Sequence, residues 1–278
     1  MTPVRPADLA NMHLEGTLPA SAKAFAGAVS AVRAGSVVID TYRQKRLLLA
    51  AAKGKPTLVF DDHYKPPMGS SIVVNASPSA TRDRYKIPSK LLLGPGYASL
   101  HSAFSRSRRR FQVRAKIQRI LVALGGNDTA GKLPAVVRAV RKLFPSAELS
   151  VCGAPAANIP DHPLIVRNAW LSQQDMANLM GSCDLGVLAG GQMLVQAACI
   201  GLPALALPQT PNQALHAASW ETIGSVVVAQ TPARLTSAAG TLSLAVRRRM
   251  SEAGRNVVDG KGAGRIAKQL LQLTDGFC

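Results

Sequence analysis

The stretch that decides the fold is residues 120–132, ILVALGGNDTAGK. Its first five residues are apolar and predict a buried strand, and the two glycines after them permit a tight turn. Residues 132–143 then place apolar side chains at helical spacing. A strand, a glycine turn and a helix in this order indicate one unit of a parallel α/β sheet, and the amino end of such a helix attracts phosphate groups.

The same alternation extends through the rest of the chain. In the first half, the pattern predicts a helix within 20–34, a helix at 43–52, and strands at 36–40, 57–60 and 72–75. In the second half, it predicts strands at 117–124, 148–152, 164–166, 185–188, 204–207 and 226–228, with helices at 132–143, 173–180, 193–200 and 212–222. Such alternation is typical of a doubly wound, Rossmann-like sheet.

Composition limits the class of partner. The 278 residues carry a net charge of +18, with 47% hydrophobic, 17% charged and 4% aromatic residues. The chain is too apolar for a disordered polycation, and it has too few rings for a single-stranded nucleic-acid platform. A basic cluster at 106–116 predicts a solvated linker or a surface helix, with an anion-binding patch as the alternative. We place the domain boundary there, between 1–114 and 115–278.

Cysteine and membrane signals are weak. Cys152, Cys183, Cys199 and Cys278 are widely spaced, which favours buried free thiols in a reducing cytoplasm over a disulfide or zinc module. The N-terminus lacks an apolar signal region, and no uninterrupted apolar run is about 20 residues long. The positive charge permits a loose association with a membrane surface. No metal constellation is visible.

A second glycine turn, Gly190-Gly191-Gln192, also separates a predicted strand from a helix. Asn212 and Gln213 follow the next strand, at the edge where open α/β sheets bind ligands. Amide side chains there suit sugar hydroxyls and a pyrophosphate, although ordinary turn chemistry explains each glycine turn equally well. Leu215 and Trp220, on the helix after Gln213, are predicted to be core residues.

An ATPase is disfavoured, although residues 126–132 match the phosphate-loop pattern GxxxxGK. The next residue is Leu133, where that loop needs a serine or threonine to hold Mg²⁺.

Several segments, in order along the chain, resemble one family of sugar-nucleotide enzymes. They are HLEGTLP (13–19), VVIDTY (37–42), FDDHY (60–64), LLGPGYASL (92–100), LVALGGNDT (121–129), GLPALALPQTPNQ (201–213) and VVDGKGAGRIAKQL (257–270). The family is the pseudaminic-acid pathway hydrolases that release UDP from UDP-2,4-diacetamido-2,4,6-trideoxy-altropyranose. It includes spore-coat polysaccharide proteins and is related to the MurG glycosyltransferase. The resemblance implies a GT-B-like α/β fold with two Rossmann-like domains.

The resemblance also implies a site for a UDP-sugar, with no separate cofactor. Its implied members are Gly125, Gly126, Asn127, Asp128, Gly190, Gly191, Gln192, Gln196, Asn212 and Gln213. Gly191 would approach the phosphates, and Asn212 and Gln213 would lie beside the sugar. Gln196 stands where the family has a ribose-binding glutamate, so the charge-assisted part of that contact is lost.

The family's Gly-x-Gly-His segment, which carries its catalytic histidine, has no counterpart here. The N-terminal domain is therefore expected to be incomplete, and hydrolase activity is not assigned to a residue. His63 is a weak candidate for a replacement, and the other histidines are read as surface or satisfied side chains. Three alternatives to the hydrolase stay open: a sugar-transferring enzyme, an inactive UDP-sugar-binding protein and, on charge alone, a basic nucleic-acid-binding protein. No nucleic-acid-binding motif supports the last.

Overall fold

The computed structural model describes residues 26–27, 29–30, 34–41, 45–52, 54–62, 64–66, 68–125, 131–153, 159–168 and 170–275. The contacts divide the chain into two compact units. The first takes in the described residues of 1–73, 87–90 and 270–278, and the second those of 74–86 and 91–269. The domain boundary between residues 114 and 115 stays a prediction.

The first of two sheets has four strands in the described residues. They are β1 (Val37–Ile39), β2 (Thr57–Phe60), β3 (Ile72–Asn75) and β4 (Lys90–Leu93), in the order β1-β2-β3-β4. β1 runs parallel to β2, and helix α1 (Lys45–Ala51) connects them. The three strands predicted in this half are confirmed. β4 was missed because KLLL offers no β-branched residue and no alternation.

The second sheet is parallel and has the doubly wound strand order. Its strands are β5 (Arg119–Ala123), β6 (Glu148–Cys152), β7 (Ile165–Asn168), β8 (Leu185–Leu188), β9 (Ala204–Ala206) and β10 (Val226–Val228). They lie in the order β10-β9-β8-β5-β6-β7. The strands from β5 to β7 are therefore added in one direction across the sheet, and the strands from β8 to β10 are added in the opposite direction. The point between β5 and β8 is the topological switch point of the sheet.

Helices cover both faces of this second sheet. They are α2 (Ser102–Arg110), α3 (Leu133–Leu143), α4 (Gln173–Ser182), α5 (Gln192–Ile200), α6 (Pro211–Ile223), α7 (Leu235–Gly240) and α8 (Leu244–Val257), and α9 (Gly262–Asp275) follows. Alternate residues of β5 point to opposite faces, so Leu121 joins one buried cluster while Ile120 and Val122 join another. The predicted α/β fold class is confirmed.

The basic cluster at 106–116 includes the end of a surface helix. Most of it belongs to α2 or to the segment just after it, and Phe104 of that helix is completely buried. Arg108 donates hydrogen bonds of 3.0 Å to three main-chain carbonyls, those of Cys199, Arg255 and Val258. These are carbonyls at helix ends, where a guanidinium satisfies acceptors that have no partner within the helix. The prediction of a solvated linker or a surface helix is therefore confirmed as a helix for residues 106–110, although Arg108 binds main-chain carbonyls.

Arg247 is a second cation that binds main-chain carbonyls. It is 2% exposed and donates to the carbonyls of Arg114 and Ala115 at 2.8 and 2.7 Å. Burial lowers the pKa of its guanidinium, and nearby Asp184 partly offsets that effect. Part of the net charge therefore holds the fold together.

The described cysteines are buried and free, as predicted. Burial raises the pKa of Cys152 and Cys199 to about 11 and that of Cys183 to about 12, so these thiols stay protonated at neutral pH. Cys278 lies outside the described residues. In the described part of the chain, no helix combines the length and the apolar character needed to cross a membrane.

Asp259 offers a test by pH. Hydrogen bonds from Arg265, at 2.8 and 2.5 Å, lower its pKa from 3.8 to about 2. A lowered folded-state pKa stabilises the fold above pH 3.8, and this contribution is lost as the pH falls toward 2. We expect Arg265→Met to raise the pKa of Asp259 toward 3.8 in a carboxyl NMR titration. The control Lys268→Met, on the same helix, should leave the pKa unchanged. Both partners are partly exposed, so the change in stability should be small.

Candidate functional site

Two of the predicted glycines flank the switch point of the second sheet. Ala123 of β5 pairs with Leu188 of β8, so Gly125 and Gly190, each two residues further on, reach the same edge. Gly125 has a φ of +102°, a conformation that favours glycine, and Gly190 is buried. The carboxyl edge at a switch point is where open α/β sheets form their ligand-binding crevice.

Helix α5 begins at this edge and leaves its first amides open. Gly191 is the N-cap residue and provides no side-chain cap, and Gln192, the first helical residue, is exposed. Within the described residues, the N–H groups of Gly191, Gln192 and Met193 have no hydrogen-bond acceptor. Such donors, together with the positive end of the helix dipole, favour an anion.

The first turn of α6 packs directly against the glycine turn. A Cβ atom at Gly190 would lie 2.5 Å from the main-chain oxygen of Gln213, so only glycine fits there. The Gln213 side chain lies beside Gly191. Its Nε2 is 3.8 Å from the position that a Cβ atom of Gly191 would take. Its Oε1 accepts a hydrogen bond of 2.9 Å from the Gln209 N–H. Gln213 is thus held at the amino end of α5.

Gln209 is a residue that the sequence analysis missed. Its Nε2 donates to the carbonyl of Leu207 at 2.7 Å, while its Oε1 is buried and has no donor in the described structure. An unpaired buried acceptor costs about 1–3 kcal/mol, which a ligand hydroxyl or N–H would recover. The signal available in the sequence was its position just past a predicted strand, at the same edge as Gln213.

His216 and Trp220 also belong to this region. His216 Nδ1 lies 2.7 Å from the carbonyl oxygen of Gly190, and Trp220 Nε1 donates to His216 Nε2 at 3.1 Å. Trp220 is fully buried, as predicted. Leu215, also predicted to be core, is 73% exposed, because α6 turns Ala217 and Trp220 inward instead.

Other residues at this edge differ in accessibility. Gln196 is 7% exposed, and its Nε2 donates to Gln173 Oε1 at 3.3 Å, so its amide is already held by the first turn of α4. Asn212 is exposed at the start of α6. Trp170, which was not predicted to have a role, is 78% exposed and lies three residues before Gln173.

Four predicted residues lie outside the described part of the chain, namely His63, Gly126, Asn127 and Asp128. Their assignments stay predictions. Among the residues that the structure does describe, no three His, Cys, Asp or Glu side chains are grouped so that they could hold a metal ion.

Two parallel sheets with helices, of which the second has the doubly wound order, place the protein in the GT-B fold class. Solved structures of that class are similar to this chain over most of its length. The MurG of Acinetobacter baumannii is 15% identical with a TM-score of 0.66, covering 90% of this chain and 77% of its own. The MnaA of S. aureus, solved with UDP, is 15% identical with a TM-score of 0.66, covering 90% and 78%. At such identities the similarity shows the fold alone.

A similarity in sequence is more specific. The chain is 28% identical over 226 residues to the spore coat polysaccharide biosynthesis protein SpsG of Bacillus subtilis. The match covers 73% of this chain and 65% of SpsG, which is less than two thirds of that relative's length. No family model matches the sequence.

Proposed function

We propose that this protein binds a UDP-sugar at the carboxyl edge of its second sheet. The observation that carries the proposal is the set of open N–H groups of Gly191, Gln192 and Met193 at the switch point. The diphosphate would accept hydrogen bonds from these amides, as anions do at helix N-termini. The recognition of phosphate would then need no basic side chain.

The nature of the nucleotide is taken from similar proteins. MnaA was solved with UDP, and the UDP-GlcNAc 2-epimerase of Neisseria meningitidis, with a TM-score of 0.63 and 11% identity, was solved with UDP-GlcNAc. SpsG is named for the biosynthesis of spore coat polysaccharide. These names support a UDP-sugar used in the synthesis of a polysaccharide.

The polar groups around α5 suit the rest of such a ligand. Gln196, in the second turn of α5, would face the ribose, and Asn212 and Gln213 would face the sugar. The buried Gln209 Oε1 would accept a hydrogen bond from a sugar hydroxyl or amide N–H. Each of these groups is uncharged, so the sugar would be recognised through hydrogen bonds alone.

Calorimetry with UDP tests the proposal. We expect UDP to bind at least tenfold more tightly than uridine, because only UDP carries the diphosphate. As a control, Gly240→Ala adds a methyl group in open space on α7 and should bind UDP like the wild type. Equal affinity for UDP and uridine, or no binding of UDP at millimolar concentration, would overturn the proposal.

For the reaction, we propose hydrolysis of the bond between the sugar and UDP, as in the hydrolase family that the sequence resembles. Water would replace UDP at the anomeric carbon, and a general base would take the proton from that water. His63 remains the candidate for that base. A GT-B glycosyltransferase is supported to a comparable degree by the solved structures. The product decides between them: free sugar and UDP for hydrolysis, or a sugar joined to an acceptor for transfer. UDP binding without either product would indicate an inactive binding protein.

Trp170 supplies a test of where the uracil ring of the nucleotide binds. Trp170 is 78% exposed, and its Cα atom lies at most about 11 Å from that of Gln173, which holds the Gln196 amide. Stacking of a base on an aromatic ring is worth about 1–3 kcal/mol. We expect Trp170→Ala to weaken both UDP and uridine about tenfold, since both carry the base. Trp170→Phe should keep most of the affinity, and unchanged affinity of the alanine variant would place the base elsewhere.

A further inference from the structure

The side chain of His216 connects the glycine turn to the core. It is half-buried on α6, with Nδ1 at 2.7 Å from the Gly190 oxygen and Nε2 at 3.1 Å from the Trp220 nitrogen. The two rings are nearly perpendicular, at 80°, with centroids 6.1 Å apart. Both nitrogens of the imidazole are therefore engaged, one by the core and one by the turn.

The partners determine which nitrogen carries the hydrogen. An indole Nε1–H can only donate, so His216 Nε2 must be the acceptor. In the neutral ring the hydrogen is then on Nδ1, which donates to the carbonyl of Gly190. Trp220 is completely buried, so this tautomer is selected by a rigid group.

The carbonyl of Gly190 belongs to the same peptide as the N–H of Gly191. A trans peptide is planar, so this N–H points away from the carbonyl and hence away from His216. Two consecutive glycines give this peptide more rotational freedom than any other pair of residues would. A hydrogen bond to its carbonyl restricts that rotation and also strengthens the N–H as a donor.

We infer that His216 is a positioning residue for the diphosphate: it acts through the Gly190–Gly191 peptide and holds the Gly191 N–H toward the ligand. Trp220 sets its tautomer. The inference rests on the proposed UDP-binding function. It assigns to α6 a role in phosphate recognition, in addition to the amides of α5.

Three variants separate this role from simple packing. His216→Leu keeps an apolar side chain but removes the donor, and we expect it to weaken UDP at least tenfold, about 1.4 kcal/mol, while uridine affinity is unchanged. His216→Asn places an amide N–H close to the position of Nδ1 and should bind UDP within about threefold of the wild type. Trp220→Phe keeps the ring but removes the indole N–H, so the weakening should be intermediate. Thermal unfolding of each variant reports any loss of fold.

Long-range ¹H–¹⁵N NMR spectra of the His216 imidazole test this hydrogen-bonding arrangement without a ligand. We expect the Nδ1–H tautomer in the wild type and a larger share of the Nε2–H tautomer in Trp220→Phe, where only the Gly190 carbonyl still selects Nδ1–H. An Nε2–H tautomer in the wild type would overturn the inference even if UDP binds. Equal weakening of UDP and uridine in His216→Leu, or no rescue by His216→Asn, would also overturn it. Failure of the wild type to bind UDP would refute the proposed function and this role together, whatever the tautomer.

Discussion

Replacing Gly190 with alanine is expected to weaken UDP binding by at least about 100-fold, or 2.8 kcal/mol. The added Cβ would lie 2.5 Å from the Gln213 oxygen and 3.0 Å from its carbonyl carbon. These are main-chain atoms at the start of α6, so they cannot move aside as a flexible side chain would. The overlap must separate the turn from α6 and so displace the Gly191 amide. Calorimetry with UDP measures the loss of affinity.

The matched control adds the same methyl group one residue later. At Gly191, a Cβ atom would meet only Gln213 Nε2 at 3.8 Å, an ordinary contact, and its φ of −104° lies outside the left-handed region. Gly191→Ala should therefore unfold at the wild-type temperature, while overpacking in Gly190→Ala should cost about 1–3 kcal/mol of stability. Wild-type UDP affinity in a folded Gly190→Ala protein would show that the diphosphate binds elsewhere.

Asp184→Ala is expected to lower the free energy of unfolding by about 3 kcal/mol. Asp184 is 2% exposed, and its Oδ2 accepts from the main-chain N–H groups of Gln118 and Arg119, both at 2.9 Å. Its Oδ1 accepts from Arg114 at 2.6 Å. The carboxylate thus joins the start of β5 to the start of β8, and its removal leaves two main-chain donors without their acceptor. Urea unfolding gives the free energy.

Asp161→Ala is the control for this second prediction. Asp161 also pairs with an arginine, Arg167, at 2.7 Å, but its side chain is 97% exposed. An exposed pair contributes about 0–1 kcal/mol, so this variant should be close to the wild type. Equal losses in the two variants would mean that burial of Asp184 adds nothing to its contribution.

The structure shows what several of the basic residues bind. Arg108 and Arg247 donate to main-chain carbonyls, and Arg114 pairs with Asp184. These cations stabilise the second unit. The open amides at α5 belong to the backbone, so the proposed recognition of phosphate does not depend on the excess of positive residues.

Much of the fold could be predicted from the sequence because its signals are local. The strands at 57–60, 72–75, 148–152 and 185–188 were predicted at their observed bounds, since each is a short segment rich in apolar residues. Helices α7 and α8 were missed. α8 carries three consecutive arginines and α7 is short, so neither shows a clear apolar stripe in the sequence.

The sequence by itself determined the order of strands and helices and the two glycine turns, because apolar periodicity and backbone freedom depend on neighbouring residues. Only the tertiary structure decided what surrounds those turns. Gln213 and His216 contact the turn at Gly190, and Gln209 and Trp220 bind these two residues, because β8 and β9 are neighbours in the sheet and α6 returns across its edge. Such contacts depend on the packing of distant segments, so no local pattern predicts them.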